Sequence, residues 1–131
     1  MGIMKNLMLI YFLVINLLCC RENSIAQIKA VDADSVKTLM KNKNIVILDV
    51  RTPEEFTEGH LKGSVNIDYR DENFEKGIDT LKKYVTYVVY CRSGRRSEEA
   101  GKLMSEKGFK KIYHYHGGIL DWEEKKNELV K

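Results

Sequence analysis

Proline occurs once in this chain, at position 53, and cysteine three times, with two of the three adjacent at positions 19 and 20. The first scarcity leaves no proline-rich linker, and no other low-complexity segment or internal repeat is visible. The second excludes a disulfide-built scaffold, because the body of the chain holds Cys91 alone and offers it no partner. An excess of one charge is also missing. The 22 basic residues stand against 19 acidic ones, a net charge of +3, and they are interleaved with them. Outside one short loop no basic stripe with aromatics occurs, so composition argues against a nucleic-acid partner. With 131 residues, 44% of them apolar and 31% charged, the chain has room for one globular domain and little else.

The first 26 residues are of a different class. Met1 to Asn6 carries one lysine, Leu7 to Leu18 is apolar except at Asn16, and polarity rises abruptly at Arg21-Glu22-Asn23, the layout of a secretory signal. The apolar run is short for a membrane-spanning helix, although Ile3 and Met4 extend it towards an uncleaved anchor. Two processing schemes fit. Small residues in Ser24-Ile25-Ala26 suit a signal peptidase and would leave a mature domain from 27 to 131, whereas Leu17-Leu18-Cys19-Cys20 resembles a loose lipobox in which Cys20, or else Cys19, becomes the lipidated first residue and tethers the domain to a membrane. Both export the domain to a bacterial periplasm or cell envelope. There Cys91 would be an unpaired exported thiol, either an oxidation liability or the working group.

Segments of alternating type follow. Asp32 or Asp34 can cap a helix with Val36, Leu39 and Met40 on its apolar face, and Ile45 to Val50 reads as a buried strand. Thr52-Pro53-Glu54-Glu55 is a capping box with proline at the first helical position, and Gly59 closes that short helix. A short strand over Val65 to Ile67, a helix over Phe74 to Lys83, a buried strand over Val85 to Tyr90 and a helix over Ser97 to Lys107 come next. A strand over Lys111 to Tyr115 and a terminal helix over Ile119 to Leu129 complete the pattern. Nearly pure apolar strands separated by helices predict an α/β domain, with a mostly parallel sheet covered on both faces. Ligands of such sheets sit beyond the carboxyl ends of strands, where Arg51 and Cys91 both fall.

The most informative stretch is Cys91-Arg92-Ser93-Gly94-Arg95-Arg96, between a strand and the helix beginning near Ser97. A cysteine there sees the positive end of a helix dipole and unpaired backbone amides, with three arginines in the same turn, and each favours thiolate over thiol. Gly94 allows positive φ and lets the amides converge. A nucleophile in such a setting suits an anionic substrate.

Three blocks now carry a family resemblance. Asp49 to Phe56 with Gly59 to Ile67, then Tyr90 to Ser97, then Gly117-Gly118-Ile119 with Trp122 resemble, in order, the first block, active-site loop and closing block of a single-domain rhodanese, a sulfurtransferase. The resemblance implies a rhodanese-like α/β fold with a central sheet of about five strands, and a reaction without a cofactor or metal. Cys91 would take the outer sulfur of a small anionic donor such as thiosulfate as a persulfide and pass it to cyanide or a thiol. Arg92, Ser93, Gly94, Arg95, Arg96 and Ser97 would bind the substrate or persulfide. Related dual-specificity phosphatases and arsenate reductases place five residues between the cysteine and its arginine. Here that sixth position is Ser97 and arginine comes one residue earlier, at Arg96, so the loop resembles the sulfur type. A rhodanese module that carries or binds sulfur without turnover is the alternative.

Four further residues belong near the site. Arg51 can reach a donor anion, but Asp49, Arg51 and Glu55 read first as a structural polar network around the capped helix. His60, beside Gly59, reads as a loop hydrogen-bonding group that could also move a proton. His114 and His116 share one strand face without a third ligand and read as surface features. Trp122 reads as a core anchor. The leader generates the first prediction, a hypothesis resting on residues 1–26: expressed in a bacterium, the chain acquires either a lipid on Cys20 or Cys19, or a mature amino terminus at Gln27. Mass analysis of the membrane and periplasmic fractions decides between them, and a full-length cytoplasmic product overturns the export reading.

Overall fold

The computed structural model describes residues 2–6 and 26–131. The lipidation candidates Cys19 and Cys20, and Ser24 and Ile25 of the cleavage motif, lie outside the described residues. Among the described residues no helix is long and apolar enough to cross a membrane.

The elements run β1 (Ile28–Val31), α1 (Ala33–Met40), β2 (Ile45–Asp49), α2 (Pro53–Glu58), β3 (Val65–Asn66), α3 (Phe74–Asp79), β4 (Thr86–Tyr90), α4 (Arg95–Glu106), β5 (Lys111–Tyr115) and α5 (Gly118–Glu124). The strands form one sheet in the order β1-β5-β4-β2-β3, and every pairing is parallel. Tyr90 of β4 stands opposite Asp49 of β2, so the chain leaves both strands at the same, carboxyl end of the sheet. That puts the loops starting at Val50 and Cys91 side by side.

Strand alternation sorts the core into two layers. Tyr87, Val89 and Cys91 face one side with Leu48 and Val50, where Phe74 and Ile78 of α3 and Ala100 and Met104 of α4 cover them. Val88 and Tyr90 face the other side with Ile47, under Ala33 and Val36 of α1 and Ile119 and Trp122 of α5. Helices thus lie on both faces, as the apolar strands require. Asp32 caps α1 by accepting the Ser35 amide at 2.9 Å. Thr52 and Glu55 form the reciprocal capping box, with Pro53 at the first helical position.

Besides shifts of one residue at strand ends, one strand and three helix boundaries depart from the sequence pattern. β1 was not signalled, because only Val31 of its four residues is buried and its strand character comes from pairing with β5. α3 stops at Asp79, where Thr80 turns its hydroxyl onto the Gly77 carbonyl. α4 starts two residues early, directly after Gly94. α5 stops at Glu124, and Lys126 takes a left-handed φ of 55°. The tail then returns as a single antiparallel bridge between Val130 and His60.

A buried ionic network holds the β2 and β4 ends together. Asp49 is fully buried and Arg51 is 4% exposed. The Arg51 Nη2 donates to Asp49 Oδ2 at 2.7 Å and to the Gly59 carbonyl at 2.7 Å, and its Nε reaches both carboxylate oxygens at 3.0 Å. The Tyr90 hydroxyl donates to Asp49 Oδ2 at 2.6 Å and accepts the Leu61 amide at 3.1 Å. Burial, followed by the neighbouring Asp49 carboxylate, pushes the Tyr90 pKa well above its ordinary value, so the hydroxyl stays a donor. We expect Asp49→Asn to cost about 3 kcal/mol or more, since it strands a buried guanidinium, and Tyr90→Phe to cost about 1–2 kcal/mol. Urea unfolding of both variants checks this, and near-wild-type stability of Asp49→Asn would contradict it.

Candidate active site

The loop after β4 is built so that its carbonyls face outward. The first amides of α5 take two of them: Ile119 N–H donates to the Cys91 carbonyl at 2.9 Å, and Leu120 N–H to that of Arg92 at 3.2 Å. The Gly94 carbonyl meets the Glu98 amide at 3.0 Å, the Ser97 hydroxyl at 3.1 Å and His114 Nε2 at 2.9 Å. With its oxygens engaged outside, the loop turns its N–H groups to the sulfur. The Gly94 amide donates to Cys91 Sγ at 3.1 Å.

Two glycines make this arrangement possible. Gly94 adopts φ 102°, and a β-carbon there would lie 2.3 Å from the His116 carbonyl oxygen. Gly118 adopts φ 63°, and a β-carbon on it would lie 2.4 Å from the Arg92 oxygen and 2.7 Å from that of Cys91. A side chain at Gly94 would push the loop off the backbone that follows β5, and one at Gly118 would push the first turn of α5 off the loop.

Cys91 is 1% exposed. Burial alone would raise its pKa, and the Ser97 hydroxyl and the amides of Ser97, Gly94 and Ser93 outweigh that, so the thiol lies below its ordinary value. The early start of α4 brings the Ser97 amide into this group, because it is one of the unpaired donors of the first turn.

The arginines divide. Arg92 and Arg95 are exposed, whereas Arg96 grips Glu55 in a two-pronged pair, Nη1 to Oε2 at 2.7 Å and Nη2 to Oε1 at 2.9 Å. Glu55 therefore joins α2 to the loop and does not enter the Asp49–Arg51 network. Ser93 is exposed, while Gly94 and Ser97 are buried. His60 stacks on Phe56 with ring centroids 3.7 Å apart and contacts the Phe56 carbonyl through Nδ1 at 2.9 Å. A cleft of about 190 Å³ opens beside the loop, lined by Arg92, Arg51, Glu55, Ile119 and Leu120 among others. Leu120 is 39% exposed at its wall.

His114 departs from its expected surface position. It is 8% exposed, because β5 lies between β1 and β4 and its inward residues are covered. His116 is exposed as expected. Among the described residues no cluster of three metal-ligating side chains occurs.

The Arg96 guanidinium, first through its hydrogen bonds, holds the Glu55 carboxyl down from the usual 4.5 to about 2. A carboxyl depressed by folding stabilises the fold fully above about 4.5, and that contribution drains away as pH falls towards 2. Comparing urea midpoints at neutral pH and about pH 3, we expect Glu55→Gln to lose less stability on acidification than the wild type. An equal loss would contradict the pairing.

Comparison with known proteins agrees with this geometry. The model of the rhodanese-like domain matches residues 32–125. A mitochondrial protein of Schizosaccharomyces pombe, provisionally named a thiosulfate sulfurtransferase, is 36% identical over 109 residues, covering 72% of this chain and 77% of that protein. A tRNA uridine(34) hydroxylase of Pelagibacter ubique is 36% identical over 93 residues, covering 70% of this chain and 31% of the hydroxylase. The chain thus spans about a third of the length of such hydroxylases. Among solved structures, a rhodanese-related protein of Thermoplasma volcanium superposes with a TM-score of 0.70 at 28% identity, covering 78% of this chain and 97% of that one. The polysulfide-sulfur transferase of Wolinella succinogenes superposes with a TM-score of 0.65 at 28% identity, covering 79% and 78%. With the family model matched over residues 32–125 and the fold shared, the chain belongs to the rhodanese-like domain family.

Proposed function

We propose that this protein is a sulfurtransferase that carries sulfane sulfur on Cys91, working outside the cytoplasm. The observation that carries the reading is the convergence of the Ser93, Gly94 and Ser97 amides and the Ser97 hydroxyl on a thiol whose pKa they lower. In the first half-reaction the Cys91 thiolate attacks the outer sulfur of thiosulfate. A new S–S bond forms to Cys91, the old one breaks, and sulfite leaves with its electron pair. The terminal sulfur of the persulfide then carries the negative charge, which the loop amides and the α4 dipole stabilise.

In the second half-reaction cyanide or a thiolate attacks that outer sulfur. Thiocyanate or a new persulfide departs, and Cys91 regains its electron pair as thiolate. Arg92 and Arg95 draw in the donor. Arg96, neutralised by Glu55, shapes the loop from the side.

The relatives support sulfur chemistry in the names of two of them. A tRNA substrate is supported only through the hydroxylases, about a third of whose length is shared. A net charge of +3 supplies no phosphate-tracking stripe for it.

Intact-mass analysis after incubation with thiosulfate tests the proposal. The expected result is the gain of one sulfur atom, its discharge as thiocyanate on adding cyanide, and loss of both in a folded Cys91→Ser variant. A sulfur that loads and fails to discharge would favour a carrier module. A thiol that stays free in the folded wild type would overturn the reading, and phosphate esters and arsenate would be tried next.

A further inference from the structure

The His114 ring is buried against the active loop, with Nε2 2.9 Å from the Gly94 carbonyl oxygen. A carbonyl only accepts, so Nε2 carries the proton and donates it. Burial pushes the ring pKa down, which favours the neutral ring with its remaining proton on Nε2. The charged or titratable groups that bear on it are Glu98 and Lys102 of α4 and His116 at the end of its own strand. Arg96 is the cation that bears on Cys91.

Three donors meet at the Gly94 oxygen: His114 Nε2, the Glu98 amide at 3.0 Å and the Ser97 hydroxyl at 3.1 Å. A carbonyl oxygen has two lone pairs, and a hydroxyl has one proton. The Ser97 hydroxyl commits its proton to the Gly94 oxygen, so that carbonyl is held jointly by the His114 ring of β5 and by the first turn of α4. Gly94 itself is held from two sides, by the His114 ring and by the His116 carbonyl against its α-carbon, and its own amide donates to Sγ.

We infer that His114 is a positioning residue for Cys91: its Nε2–H holds the Gly94 carbonyl and so fixes the glycine whose amide meets the sulfur. This rests on the reading of Cys91 as the working thiol. Only hydrogen bonds are redistributed, and no bond to sulfur is made or broken.

The test is a pH titration of thiolate ultraviolet absorbance on the full chain, each trace taken as the difference from a C91S partner in the same background. H114L should raise the Cys91 midpoint by about one unit, a tenfold loss of thiolate below it. H114Q, whose amide N–H reaches the same carbonyl, should restore the wild-type midpoint. An unmoved midpoint in H114L, or a shift in H114Q as large as in H114L, overturns the inference. If H114L fails to fold by circular dichroism, H114M takes its place as the variant of similar bulk without a donor. The titration reads the thiol and not turnover. A chain that takes no sulfur from thiosulfate yet shows these shifts would sink the sulfurtransferase reading and leave the role of His114 standing.

Discussion

The site depends on where the carbonyl oxygens of Cys91, Arg92 and Gly94 point. A loop that gathers its N–H groups on one sulfur must turn its C=O groups outward, and each buried oxygen then needs a donor. Here the donors are the opening amides of α5 for Cys91 and Arg92, and a hydroxyl, an amide and an imidazole for Gly94. The lowered thiol pKa follows from that arrangement, since it leaves amides of Ser93, Gly94 and Ser97 free to face the sulfur.

The rest of the molecule serves this geometry at longer range. The parallel pairing of β2 with β4 sets Asp49 opposite Tyr90, and the Asp49–Arg51–Tyr90 network fixes the two strand ends that launch the loops. A second pair, Glu55 with Arg96, connects the capped start of α2 to the start of α4. One face of the cleft is thereby held by buried charge and the other by the glycine contacts with α5. The two exposed arginines remain free to meet an anion.

Much of this was legible in the residues. Thr52-Pro53-Glu54-Glu55 specifies its own helix start, because all partners lie within one turn, and the strand-glycine-arginine pattern around Cys91 marks an amide-rich turn before a helix. A parallel sheet covered on both faces follows from the apolar strands between helices, and the count of about five strands came with the family resemblance. The partnership of Glu55 with Arg96 was not legible, since 41 residues separate them and Asp49 and Arg51 are nearer in sequence. His114 misled for a related reason. Alternating His and Tyr looks alike on an exposed and on a covered strand, and only the place of β5 between two neighbours decides it. β1 escaped because its pairing with β5, and not its composition, makes it a strand.

The donors that hold the Cys91 and Arg92 carbonyls belong to α5, and the imidazole on Gly94 belongs to β5. Both elements follow the loop in the chain, so the loop has no complete scaffold when it is first made. Until β5 has paired and α5 has docked, Cys91 is an ordinary thiol on an unformed turn, with the higher pKa and slower chemistry of a free cysteine. Reactivity is acquired late, at the closing of the fold. For a thiol read as bound for an oxidising compartment, that order of events keeps the nucleophile subdued while the chain is still open and most exposed to wrong partners.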